Sequence, residues 1–110
     1  MDSTRLQKIS RLIQKELSTI FQQKNEIFLK SLISVTTVRV SDDLGHARVY
    51  VSIFPVEKKA EVLSLIQTNS KTIRFELSQT VKNQLRKTPE LSFFIDDSLD
   101  YADKIDQLLK

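Results

Sequence analysis

The nine residues His46–Phe54, HARVYVSIF, alternate so strictly that few folds can accommodate them. Ala47, Val49, Val51 and Ile53 point one way, and His46, Arg48, Tyr50 and Ser52 the other, which is the two-residue period of a β-strand with one covered face. The preceding run from Ile33 to Val40, ISVTTVRV, is rich in β-branched residues and reads as a second strand. Between them Ser41, Asp42, Asp43 and Gly45 make a turn, and Gly45, the only glycine of the chain, is expected to supply a positive φ. The two strands then form a hairpin whose apolar face needs a cover. Apolar positions in the first strand change parity between Val35 and Val38. Either both its faces are partly buried or a bulge lies near Thr36 and Thr37; partial burial is the reading adopted.

Amphipathic helices supply the cover. From a cap at Ser3 or Thr4 to about Phe21, Leu6, Ile9, Ile13, Leu17, Ile20 and Phe21 share one face, with Lys8, Arg11 and Lys15 opposite. Residues 22 to 30 read as a polar connection. Pro55 ends the second strand, and a short helix from about Lys58 to Thr68 buries Val62, Leu65 and Ile66. After a polar break at Asn69 and Ser70, a long helix runs to Thr88, where Pro89 stops it. At 100° per residue its Ile73, Leu77, Thr80, Val81 and Leu85 gather on a core face, while Lys71, Phe75, Lys82 and Arg86 gather on the other. Leu91 to Asp96 is a third strand with Leu91, Phe93 and Ile95 inward, and Ser98 to Leu109 a last helix. The expected class is α+β in the order α-β-β-α-α-β-α, a three-stranded sheet with helices packed on one face.

Composition narrows the function. A chain of 110 residues suits a single domain spanning 1–110, which buries roughly two thirds of its unfolded surface. With no cysteine there is neither a disulfide framework nor a thiolate metal site. The opening MDSTRLQKIS lacks the apolar core of a signal peptide, and no apolar run reaches membrane-spanning length, so a cytoplasmic protein without membrane attachment is expected. One glycine cannot build a phosphate-binding loop, and the single histidine, His46, stands at a turn with no nucleophile beside it. It reads as a hydrogen-bonding hairpin residue. Asp96, Asp97, Asp100, Asp103 and Asp106 lack the spacing of a calcium loop, and the first three sit where a helix N-terminus favours acids. The expectation is therefore no enzyme, metal, cofactor or small-molecule substrate.

What remains is binding, and the charge is unevenly placed. Residues 71–87 carry five Lys or Arg against Glu76 alone, whereas residues 88–110 carry six acids against Lys104 and Lys110. Lys8, Arg11 and Lys15 on the first helix, with Lys71, Arg74, Lys82, Arg86 and Lys87 on the long one, are the candidate phosphate contacts of one surface shared by two helices. Phe75 offers a stacking face for a base, but packing against the preceding short helix is the preferred reading. Tyr50, beside Arg48 on the outer strand face, poses the same choice.

Two blocks, VSDDLGHARVYVSIF across the hairpin and TPELSFFIDDSL across the third strand, resemble the signature blocks of the bacterial ribosome-binding factor A family. KISRLIQKELSTIF and the closing KIDQLL extend the resemblance over nearly the whole chain. It implies a KH-like fold of the second type and a non-nuclease assembly factor. That factor would bind the immature 30S ribosomal subunit, assist maturation and end-processing of its 16S rRNA, and be a monomer when free. In the family, Ala, any residue and Gly form a kink between the two central helices. The matching positions here are Asn69, Ser70 and Lys71, of which Asn69 tolerates left-handed angles and Lys71 disfavours them while adding charge. Family members often add a basic tail, whereas this sequence stops at Lys110. A protein-interaction adaptor, docking a partner through the hairpin or a sheet edge, is the alternative function.

Overall fold

A computed structural model describes residues 3–96. The element order is α1 (Ser3–Gln23), β1 (Leu32–Val40), β2 (His46–Phe54), a short 3-10 turn (Val56–Lys58), α2 (Lys59–Thr68), α3 (Ser70–Val81) and β3 (Glu90–Ile95). The expected last helix, Ser98 to Leu109, lies outside the described residues. The strands form one mixed sheet in the order β1-β2-β3, with β1 antiparallel and β3 parallel to β2. The parallel pair is joined through α2 and α3, the helical crossover that such a connection requires. This is the α+β, KH-like arrangement expected from the sequence.

The core lies between the sheet and the helices. Ile9, Ile13, Leu17, Ile20 and Phe21 of α1, Val62 and Ile66 of α2, and Ile73, Leu77 and Val81 of α3 meet Ala47, Val49, Val51 and Ile53 of β2, all of them buried. Each buried aliphatic side chain contributes about 1.5–3 kcal/mol, so matching helical stripes against a sheet face is what holds the layers. Thr80, expected on this face, is exposed, and Leu65 is only half-buried.

Four local expectations are corrected by the folded chain. The parity change in β1 is a bulge at Thr36, since the pairing with β2 shifts between Val35 and Thr37. The extra residue lets Ile33 and Val35 share the covered face with Val38. The Gln14 side chain of α1 donates to the Val35 carbonyl at 2.8 Å, satisfying a group at the disrupted ladder. In the hairpin turn the positive φ belongs to Leu44, at 60°, and not to Gly45. Glycine serves there for closeness: a Cβ would meet the Asp43 carboxylate oxygen at 3.2 Å, the same oxygen that accepts from the Gly45 amide at 2.9 Å.

The connection after α1 is not merely polar. Phe28 is fully buried and meets Phe21 edge-on at 5.5 Å. Seating it puts Leu29 and Lys30 at φ 60° and 56°, a left-handed pair costing roughly 1–2 kcal/mol each, against which the burial of the phenyl ring is of comparable size. The fourth correction is the length of α3, which ends at Val81 instead of running to Thr88. The Val81 carbonyl accepts from both Gln84 and Leu85 in a final loose turn, and Leu85 remains buried.

Candidate nucleic-acid interface

The early end of α3 has a specific cause. The Arg74 guanidinium donates through Nη2 to the Thr88 carbonyl at 2.7 Å and through Nε to the Pro89 carbonyl at 3.1 Å. In an unbroken helix residue 88 would lie about 21 Å along the axis from residue 74, at 1.5 Å per residue, beyond any arginine's reach. The chain must therefore turn back beside α3, and it does so on the buried anchors Leu85 and Pro89.

That reversal changes a strip into a groove. Ser70, Lys71, Arg74, Phe75 and Ser78 form one wall along α3; Arg86, Thr88, Glu90 and Leu91 form the other, around a volume of about 600 Å³. Lys71 and Arg86 are exposed and have no hydrogen-bond or ion-pair partner among the described residues. Glu76, the acid nearest Lys71 in sequence, is engaged elsewhere: it meets Lys24 at 2.6 Å, tying the end of α1 to α3. Phe75 is 64% exposed, so packing against α2 is excluded and its ring stands open beside the two cations. The groove thus combines Lys71, Arg74 and Arg86, against the single acid Glu90, with an apolar, stackable plane.

At the head of the groove α2 and α3 meet in a one-residue kink. Asn69 takes φ −96° and ψ 12°, and both its backbone amide and its side-chain Nδ2 donate to the Leu65 carbonyl, at 3.0 and 2.7 Å. The Asn69 carbonyl then accepts from Ile73 at 2.9 Å, opening α3. No residue from Asn69 to Lys71 has a positive φ, so the left-handed angles that Lys71 disfavours are not required. Asparagine makes the bend by side-chain bonding, which leaves Lys71 in the first turn of α3 and in the groove.

The other candidate cations are placed differently. Lys82 caps the C-terminus of α3 and Lys87 lies within electrostatic reach of Asp43; both are exposed, and neither lines the groove. Lys8 and Lys15 stand exposed on α1. Arg11 borders a separate, shallower groove with Leu6, Gln7, Ser10, Val38, Arg39 and Val40. The single surface expected across both helices is thus two grooves, of which the one on α3 holds Lys71, Arg74 and Arg86. Arg39 carries little signal in the sequence, because the parity of β1 changes at Thr36 and leaves its face undecided.

The Asp43 carboxyl is held below its ordinary value, first by the Ser41 hydroxyl, which donates at 2.7 Å, then by the Gly45 amide, with Lys87 adding a smaller share. His46 contacts the Ser92 hydroxyl at 3.0 Å through Nε2, the hydrogen-bonded hairpin role expected of it. Among the described residues no group of three or more His, Cys, Asp or Glu side chains is placed to hold a metal ion, and no helix is long and apolar enough to cross a membrane.

Comparison with known proteins points one way. A family model described as ribosome-binding factor A matches residues 5–109. A protein of that name from Flavobacterium psychrophilum is 51% identical over 112 aligned positions, covering 99% of this chain and 85% of the relative. The crystal structure of ribosome-binding factor A from Thermus thermophilus superposes with a TM-score of 0.70 at 23% identity, over 82% of this chain and 94% of that one. A homology model of the Thermus thermophilus factor, fitted into a cryo-EM map of its complex with 30S, gives a TM-score of 0.63 at 24% identity, over 78% and 89% of the two chains.

Proposed function

The chain belongs to the ribosome-binding factor A family, and from that premise we propose that it binds the immature 30S ribosomal subunit and assists late maturation and processing of 16S rRNA. It acts as one KH-like RNA-binding domain, in the cytoplasm, as a monomer when free, and without catalysis of its own. The observation that carries this reading is the α3 groove, where Lys71 and Arg86 flank the exposed ring of Phe75. Two cations across a groove can track a phosphate backbone, while an exposed aromatic plane accepts a base regardless of its identity. Arg74 holds the far wall in place. The family member from Thermus thermophilus that was fitted to a 30S complex supports the choice of partner.

The test is gradient co-sedimentation of the purified protein with small subunits, large subunits and assembled ribosomes. Binding is expected on the small subunit, falling with salt by about 0.7–0.9 log units per phosphate contact per log unit of salt. Lys71→Glu with Arg86→Glu should weaken it at unchanged melting temperature; undiminished co-sedimentation would remove the groove from the interface. One observation favours the adaptor reading: Leu32 and Phe54, opposite one another in register, are 61% and 66% exposed. Salt-insensitive binding to a purified small-subunit protein, with none to ribosomal RNA, would establish it instead.

A further inference from the structure

The sheet has a second face. Opposite the helices, β2 presents His46, Arg48, Tyr50, Ser52 and Phe54, and the pairing sets Arg39 directly across from Arg48, Tyr50 beside Phe94, and Ser92 beside Arg48. Arg39 and Arg48 are both exposed, and neither has an ion-pair or hydrogen-bond partner among the described residues. Like charges opposite each other on adjacent strands repel, so the pair does nothing for the sheet's own stability. The rings of Tyr50 and Phe94 lie 5.5 Å apart with only 30° between their planes, and Phe94 is 43% exposed. Two neighbouring rings, tilted by 30°, next to two unpaired arginines offer stacking faces for bases with phosphates alongside.

This face is also connected to the α3 groove. A smaller depression at the β3 edge is lined by Gln67, Ser70, Leu91, Ser92, Phe93 and Phe94. It shares Ser70 and Leu91 with the groove of Lys71 and Phe75. At the opposite edge Arg39 borders the groove of Arg11, so positive charge continues around β1 as well. Of the described acids on this face, Asp96 is bonded by the Thr36 hydroxyl, and Glu90 stands at the end of β3 opposite His46.

We propose that the outer sheet face, built from Arg39, Arg48, Tyr50 and Phe94, is a second binding surface for single-stranded RNA, reached from the α3 groove around the β3 edge. The charge selects a polyanion, and the aromatic pair selects unpaired bases over a duplex, whose bases are already stacked. The inference extends the RNA-binding reading but rests on residues outside the groove, so the two stand or fall separately.

The test titrates the full chain, labelled with nitrogen-15, with an eight-nucleotide single-stranded oligoribonucleotide. Saturable amide shifts are expected at Arg48, Tyr50 and Phe94. Phe94→Ser should weaken binding by about tenfold, the loss of one stacked base. Arg39→Gln with Arg48→Gln should lower the slope of log affinity against log salt by about 1.4, two single-strand phosphate contacts. The melting temperature of each variant separates lost contact from lost fold. Shifts confined to Lys71, Phe75 and Arg86, with the double glutamine variant binding normally, would overturn this inference and leave the groove standing. So would shifts on this face that follow protein concentration alone, removal of residues 97–110, or a small-subunit protein, without any response to RNA. Loss of the Lys71 and Phe75 response with the outer-face response retained would support this inference and count against the groove.

Discussion

Along α1, Lys8, Arg11 and Lys15 stand on the exposed side of a regular helix, laid out as the 3.6-residue repeat dictates. Along residues 70–91 a comparable set of cations is folded back on itself, so that Arg86 faces Lys71 and Phe75 across a groove. The difference comes from a reversal that the Arg74 side chain bonds and that Leu85 and Pro89 anchor. On α1 no cation reaches another part of the backbone in a described hydrogen bond, whereas Arg74 bonds two carbonyls that follow the helix. Charge that only decorates a helix makes a strip, and charge on both arms of a reversal makes a site.

Three experiments would break or sharpen that contrast. The largest effect is expected from Arg74→Gln, which removes charged hydrogen bonds to Thr88 and Pro89 and should cost about 1.5–3 kcal/mol in urea denaturation. Small-subunit binding should fall further than one lost charge explains, because the wall bearing Arg86 is released. An unchanged unfolding midpoint would show that the reversal is held by Leu85 and Pro89 alone. Next, replacing Lys8, Arg11 and Lys15 together by Gln should leave the melting temperature where it is. If all three contact phosphate, the salt dependence of subunit binding drops by about 2 to 3 log units per log unit of salt. An unchanged salt slope would confine the interface to the α3 side.

The smallest effect concerns the hairpin turn near Lys87. The folded pKa of Asp43 is depressed, so its contribution to the turn is fully present above the unfolded value and is lost as pH falls through the folded one. The stability difference between the parent and Asp43→Asn should therefore stay constant from neutral pH downward and shrink only below about pH 4. A difference that changes between pH 7 and 5 would show that the Asp43 carboxylate does not carry it.

Much of the fold was legible because burial repeats with a local period. Ala47, Val49, Val51 and Ile53 were assigned to the covered face of β2, and Ile9, Ile13, Leu17 and Ile20 to that of α1, and all eight are buried. Phe28 carries no signal in the sequence, because it lies in a polar stretch without a period; its place in the core, against Phe21, follows from the folded chain. Phe75 was legible as a position but not as a surface. Helical spacing set it on the basic side of α3, yet whether α2 covered it depended on the bend at Asn69.

By itself, then, the sequence determined the described strands and helices apart from the end of α3, and most of their inward faces, since each depends on residues within about two turns or a few strand positions of one another. Tertiary structure alone decided where regular geometry stops. The bulge at Thr36 is met by Gln14, 22 residues away, α3 ends where Arg74 can reach Thr88, 14 residues on, and the positive φ at Leu44 leaves Gly45 free to approach Asp43. The bulge and the helix end are each met by a hydrogen bond between groups that no periodicity brings into register, and the second of these shapes the groove in which Lys71, Phe75 and Arg86 meet.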